Sequence, residues 1–268
     1  GFQVNCGIRV HGEIARSPTN NPKYPLRLLF KGEYGHTKLE YPLFEDNPVE
    51  QFDTIVLRAT YGGSWISGSS SAQYVYNDFS HNIMRDMGQP APSGRQVHLY
   101  INGLYWGLYD INERPDDSFS AEHLGGEKEQ WDVIKGLIVG QRWSLQSGQS
   151  ASWQSLLDLV PTSMSQISDA GYQQVKQYLD IDNFIDYMIT NIFVNNYDWP
   201  GKNWYATSMR DPNNPGGPPL EKFRFFTWDM ESVLGWHEHD RTTVGDLSGT
   251  DVGPARIYKR IRHHPEFK

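Results

Sequence analysis

The chain has one cysteine, Cys6, in 268 residues. No internal disulfide can form, so packing alone must hold the fold. No apolar run reaches the roughly 18 residues that a membrane-spanning helix requires. No secretory leader pattern opens the chain either. Basic residues are in deficit: 24 Lys and Arg stand against 32 Asp and Glu, a net charge of −8. Phosphate backbones and anionic bilayers select clustered cations, so this balance argues against nucleic-acid or membrane-surface binding as a general role. A single nucleotide needs only a local basic pocket and stays open. The absence of disulfides suits the cytoplasm and equally suits many exported bacterial proteins. The chain opens without Met and stops within a helical pattern, Arg262 to Lys268, and is expected to be a piece of a longer protein.

Aromatic residues are plentiful at 13 %, with nine Trp and fifteen Tyr, so a ring-packed core is expected, with some rings lining a cleft. The length fits one large domain or two lobes sharing a cleft. Short strands are expected at Val4–Val10, Leu26–Phe30, Leu39–Phe44 and Thr54–Ala59. A helix follows over Ala72–Met87, with Val75, Phe79, Ile83 and Met87 at helical spacing. Asn102-Gly103 is a type I′ signal between Val97–Tyr100 and Leu104–Ile111, which predicts a hairpin. Residues 1–113 therefore read as a mostly β lobe with one helix.

From Arg114-Pro115 onward the pattern changes. A strand is expected over Trp131–Ile138, helices from Ser150, and a buried helix over Asp182–Phe193 with Asp180 or Asp182 as its N-cap. Trp204–Ala206 and Phe223–Trp228, joined by a Pro/Gly/Asn-rich loop, predict a long hairpin. Residues 114–268 read as a mainly α lobe containing that hairpin. The fold class expected is α+β, bilobal and laid out like an atypical protein kinase.

The segment delivered by the buried helix carries the chemistry. Asp198 and Asn203 are spaced D-x-x-x-x-N, and Thr227-Trp228-Asp229-Met230-Glu231 ends the later strand. Protein-kinase sites place a base Asp and an Asn on one loop and a metal-binding Asp further on. If the two strands pair, Asn203 and Asp229 lie side by side as oxygen ligands for one hard cation. Asp198 then sits near an acceptor hydroxyl. The competing reading has Asp198 and Asn203 capping a turn, with Asp229 and Glu231 in solvent.

Phosphates require cationic partners. The loop His11-Gly12 through Ser17 lies between two strands but is no G-x-G-x-x-G, and Arg9, Arg16 and Lys23 flank it. Solvated surface charge is the alternative for all three. Arg58, ending an apolar strand, calls for a buried partner. Glu113 stands where a kinase's adenine-binding hinge would lie, or pairs with Arg114. His237-Glu238-His239-Asp240 lacks the i, i+4 spacing of a zinc protease motif and reads as a polar loop.

Taken together, the chain resembles the CotH kinase family of atypical protein kinases. The resemblance rests on Gly7-Ile8-Arg9-Val10-His11-Gly12, Tyr34-Gly35 with Leu39–Phe44, and Val56-Leu57-Arg58. It continues through Leu99–Tyr109, Glu113-Arg114-Pro115-Asp116, the Asn196–Asn203 loop and Trp228-Asp229-Met230-Glu231. It implies a bacterial, kinase-like protein that binds ATP with Mg2+ or another divalent cation and phosphorylates Ser or Thr of a protein substrate. Asp198 then resembles the catalytic Asp, and Asn203 and Asp229 the metal ligands. Lys23, Arg9 and Arg16 resemble the nucleotide-phosphate region. Two positions depart from many relatives: His11–Ala15 replaces an Arg-Gly-Asn-Ser type loop, and Tyr76-Asn77 replaces an Arg-Asp pair. These departures motivate a second expectation, a catalytically inactive CotH-like module that binds a ligand such as a glycan within a larger exported protein.

Overall fold

The computed structural model describes all residues except Glu13, Asn20, 61–63, 65–71, 137–142, 235–246 and 248–250. It is mixed α and β, with six helices among the described residues and antiparallel sheets. The first sheet contains β1 (Gly7–Val10), β2 (Leu26–Leu29), β5 (Thr54–Arg58), β6 (Gly94–Ile101) and β7 (Leu104–Asn112) in the order β1-β2-β5-β7-β6. β3 (Leu39–Glu40) and β4 (Gln51–Phe52) form a separate two-stranded ribbon. The strand expected at Leu39–Phe44 is thus only two residues long. Asn102 and Gly103 both have positive φ, 52° and 80°, as the hairpin turn between β6 and β7 requires.

Alternation along these strands separates two faces. Leu28, Ile55, Leu57, Tyr109 and Ile111 turn one way and pack with Phe30, Leu39, Phe44 and Phe52. Arg27 and Val56 are cross-strand partners, as are Arg9 and Arg27, Val56 and Asn112, and Arg58 and Asp110. These residues occupy the opposite face, which is therefore charged and polar around Val56.

The second sheet has the order β11-β10-β8-β9, from β8 (Trp131–Lys135), β9 (Ser144–Ser147), β10 (Trp204–Met209) and β11 (Glu221–Thr227). It extends the predicted hairpin, because β8 pairs with β10 along its whole length. The expected continuation of β8 through Ile138 falls outside the described residues. Trp204, Ala206, Phe223, Phe225 and Ile134 pack onto α3 (Ala151–Leu159), α4 (Asp169–Tyr178), α5 (Ile181–Phe193) and α6 (Gly253–Ile261) in the main core. Trp153 is central to it, with ring contacts to Trp143, Trp204, Phe223 and Phe225. Tyr205, Val133, Phe226 and Trp228 turn toward the first sheet and bury Val56 and Phe119 between the two. Phe119 belongs to α2 (Asp117–Leu124). None of the described helices is long and apolar enough to cross a membrane.

Two helix faces differ from the sequence pattern. α1 (Tyr76–Asp86) buries Asn77, Ser80, His81 and Met84, while Val75 and Phe79 are exposed. α5 buries Phe184, Tyr187, Met188, Thr190 and Asn191, leaving Ile189 and Phe193 at 52 % and 65 % exposure. In both helices polar residues face inward, and Asn77, Thr190 and Asn191 bond other elements from there. Asp180 is the α5 cap, accepting from the Asn183 N–H at 3.1 Å, and its other oxygen accepts from Arg224 at 2.9 Å. Asp180→Ala is expected to cost about 1 kcal/mol or somewhat more, measured as a lowered urea midpoint at unchanged slope.

Candidate active site

The loop after α5 is fixed by its buried residues. Trp199 donates from Nε1 to the Tyr187 hydroxyl at 2.7 Å, which ties the loop to the helix that delivers it. The Trp199–Pro200 bond is cis. Asn196 is fully buried and donates to Asn191 Oδ1 at 2.9 Å and to the Met230 sulfur at 3.2 Å. Backbone bonds from Tyr197 N to Ser232 O (3.0 Å) and from Leu234 N to Val194 O (2.7 Å) join this loop to the segment after β11.

The register of β10 against β11 places Trp204 opposite Thr227, so Asn203 and Asp229 stand at the adjoining ends. Asn203 Nδ2 lies 3.5 Å from Asp198 Oδ2 and 3.4 Å from the Asp229 carbonyl oxygen. Three residues expected to work together are thus brought to one place. Asn203 and Asp229 both have positive φ, 62° and 59°. Asn and Asp tolerate the left-handed region better than other side-chain-bearing residues, and such backbone clusters at functional sites. Asp198 also pairs with Lys202 at 3.1 Å.

Arg58 has the buried partners its position demanded. Its Nη2 donates to Asp229 Oδ1 and, at 2.6 Å, to Glu231 Oε1. Its guanidinium lies 5.5 Å from the Trp228 ring centre. Partial burial opposes ionisation of Asp229, but the adjacent Arg58 charge and bond, with Lys135 and Lys202, hold its carboxyl below the usual range. Behind Arg58 sits Asp110, 0 % exposed, with Oδ1 accepting from Asn112 at 3.1 Å. Burial and the neighbouring Asp78 push the Asp110 carboxyl well up. Asn77, one of the two departures from the family pattern, spans to both sheets. Its Nδ2 donates to Asn112 Oδ1 at 2.9 Å, and its Oδ1 accepts from Met230 N at 3.3 Å.

Cations gather on the charged face of the first sheet. His11 is pushed down to about 3 by burial and by the charges of Arg114, Arg27, Lys135 and Arg58. Their charges act on the His11 ring from both sheets and the connector. Arg114 is held by the Tyr205 hydroxyl at 3.1 Å, and Lys135 lies 5.7 Å from the Tyr205 ring centre. A cleft of about 410 Å³ continues past Arg27 toward Lys31, Thr54, Asp116, Ser118 and Lys128; it does not include Asp198, Asn203 or Asp229.

The expected phosphate-contacting residues fare unequally. Arg9 is exposed but lies opposite Arg27, at the rim of this cluster. Arg16 is exposed at the end of a short 3-10 turn, Ile14–Arg16. Lys23 donates to the Leu108 carbonyl and lies 4.3 Å from the Tyr109 ring centre, with burial lowering its amine to about 8. Glu113 requires a correction. It does not pair with Arg114, and its carboxylate is consumed by His123 (2.9 Å), Asn47 (2.9 Å) and the Ser93 N–H (2.8 Å). It knits the start of the connector to its surroundings. Asp110, Lys135 and Arg27 were not singled out from sequence, and Asn77 and Arg114 were named only as a family departure and as a partner for Glu113. The signal was present: Arg9, Arg27, Arg58 and Asp110 all fall on one alternation phase. The His237–Asp240 segment lies outside the described residues.

His81 gives this region a pH signature. It is fully buried on α1, and burial with the Arg85 and Arg58 charges lowers it to about 3. The unfolded chain takes up its proton near 6.5 while the folded chain does not, so stability falls as pH drops below about 6.5. The slope expected from this group approaches about 1.4 kcal/mol per pH unit near pH 5. Urea titrations of the parent and His81→Leu between pH 7 and 5 check this, with the shallower slope expected in the variant.

The donor set suits a hard divalent cation. Asn203 spends its amide N–H groups on Asp198 and the Asp229 carbonyl, leaving Oδ1 as its remaining acceptor, and the Asp229 side chain is 44 % exposed. No cluster of three or more His, Cys, Asp or Glu able to hold a metal occurs among the described residues. Magnesium commonly takes one or two carboxylates and completes its shell with phosphate oxygens and water. An Asp and an Asn at adjoining strand ends, facing a basic face, match that habit.

Residues 8–268 match the CotH kinase protein family. The chain belongs to the CotH kinase family. No curated protein matches it. Family membership makes the chain kinase-like, and kinase-like proteins in general use ATP and a divalent metal.

Proposed function

We propose that this CotH-family chain is an ATP-dependent protein kinase acting on Ser or Thr. In this reading residues 1–113 and 114–268 are the two lobes of a kinase-like fold, and the charged face between the sheets receives the nucleotide. The convergence of Asp198, Asn203 and Asp229 carries the proposal.

Asp229 and Asn203 would hold the divalent metal, which when bound neutralises charge on the transferring phosphoryl group. Asp198 orients the acceptor hydroxyl and takes its proton as the oxygen attacks. Its pairing with Lys202 aims the carboxylate. Arg27, Arg114 and Lys135 supply the fixed positive charge that phosphate oxygens require, with Arg9 at the rim. This assignment replaces Lys23, whose amine is engaged by a backbone carbonyl. Preorganised charge and positioning supply most of the rate in such chemistry. Transfer of labelled γ-phosphate from ATP to a Ser-rich peptide tests it. Transfer is expected with Mg2+ and lost with a chelator, and absence of transfer under all metals and acceptors tried would count against the enzyme. ATP–Mg2+ binding by calorimetry separates an inactive kinase from a module that ignores nucleotide.

A further inference from the structure

In this structure Arg58 occupies the carboxylate that the metal would need. One nitrogen, Nη2, bridges Asp229 and Glu231. A divalent cation on the Asp229 carboxylate repels the guanidinium and weakens that bond as the site loads. The fold offers it another acceptor. Arg58 and Asp110 are direct cross-strand partners on β5 and β7, so their side chains leave the same face a few ångströms apart. Among the described residues, Asp110 Oδ2 is buried and has no hydrogen-bond partner, and neither has Arg58 Nε. A buried donor and a buried acceptor left idle on cross-strand neighbours each cost about 1–3 kcal/mol, and orphans of this kind call for an explanation. Asp110 is locked in place, because Oδ1 is held by Asn112, whose own oxygen is held by Asn77.

We propose that Asp110 is a positioning residue for the metal site: it accepts the Arg58 Nε–H when a divalent cation takes Asp229, and so draws the guanidinium off the metal ligand. The inference rests on the metal-dependent reading above. Arg58 then stays beside the site with its charge turned from the metal, and Glu231 remains its second anchor. Asp110 touches neither nucleotide nor acceptor in this account.

Asp110→Asn is the sharp substitution. Asn112 donates to the near oxygen, so the new amide must spend its oxygen there and present N–H groups to Arg58. The probe is Mn2+, titrated by calorimetry into the full chain, alone and with a non-hydrolysable ATP analogue. Asp110→Asn is expected to weaken Mn2+ roughly tenfold, a difference near 1.4 kcal/mol. In an Arg58→Gln background the same substitution is expected to change affinity by less than about threefold, because no guanidinium is left to move. A merely structural Asp110 would lower stability in both backgrounds without this difference in metal affinity. Unchanged Mn2+ affinity in Asp110→Asn overturns the inference and leaves the metal reading standing. Failure of the parent to bind Mn2+, with or without the analogue, removes both. Should the variant not fold, the Arg58 Nε–H proton resonance of the parent, assigned by its loss in Arg58→Lys, decides. It is expected to shift downfield on adding Mg2+ with the analogue, and an unmoved resonance overturns the inference.

Discussion

Asp229→Asn is expected to abolish phosphoryl transfer, with kcat/KM falling about 10³-fold or more, the scale seen when a principal charge-stabilising group is removed. The substitution keeps shape and backbone. Asn tolerates the positive φ of 59° at this position, and Arg58 retains Glu231 as a partner. The lost charge is therefore separable from the fold, and thermal midpoints of variant and parent are expected to lie within a few degrees. Asp198→Asn is expected to lower kcat by about 10²–10⁴-fold while leaving ATP and metal affinity near the parent values. The two variants should thus differ in kind: Asp229→Asn loses metal-dependent binding, whereas Asp198→Asn loses only the chemical step. Undiminished transfer by both variants would contradict the assignment of either residue.

Trp153→Ala is expected to produce the largest loss of stability, about 3–5 kcal/mol. Trp153 is fully buried on α3 and contacts four rings drawn from β10, β11 and the segment before β9. Three of the four rings around the space it would vacate, Trp204, Phe223 and Phe225, are themselves buried and held by strand pairing. A domain whose net stability is commonly 5–15 kcal/mol would lose a large share of it. Urea unfolding followed by Trp fluorescence and circular dichroism measures this. Because the same sheet ends at Asn203 and Asp229, metal affinity should fall along with the midpoint. A loss below about 1 kcal/mol would show that the ring cluster is not the mainstay of the second sheet.

Much of this was legible in the residues themselves. Asn102-Gly103 forced a hairpin, Asp180 capped α5, and the Trp204 and Phe223 strands paired as their alternation required. That pairing brought Asn203 to Asp229. What the sequence obscured has physical reasons. Val75, Phe79, Ile189 and Phe193 follow helical spacing yet lie outside, because Asn77, Thr190 and Asn191 turn inward to bond other elements. Apolar periodicity is blind to buried polar groups with partners far along the chain. Glu113 looked like a hinge residue because it ends an aromatic strand, but its partners Asn47, Ser93 and His123 are remote in sequence. Asp110 was hidden for the same reason, since its neighbour Arg58 lies on a strand 52 positions earlier. Loop position could not show that Lys23 donates to the Leu108 carbonyl, 85 positions away.

Cation placement tests the account most directly. Crystals of the chain grown with Mn2+ and a non-hydrolysable ATP analogue would show the metal by its anomalous signal. The account predicts one peak within coordination distance of Asn203 Oδ1 and the Asp229 carboxylate, about 2.0–2.3 Å. The phosphates should run toward Arg27, Arg114 and Lys135, with the β- or γ-phosphate sharing the metal. A metal bound elsewhere, or nucleotide seated away from these three cations with Asp229 unliganded, would contradict it.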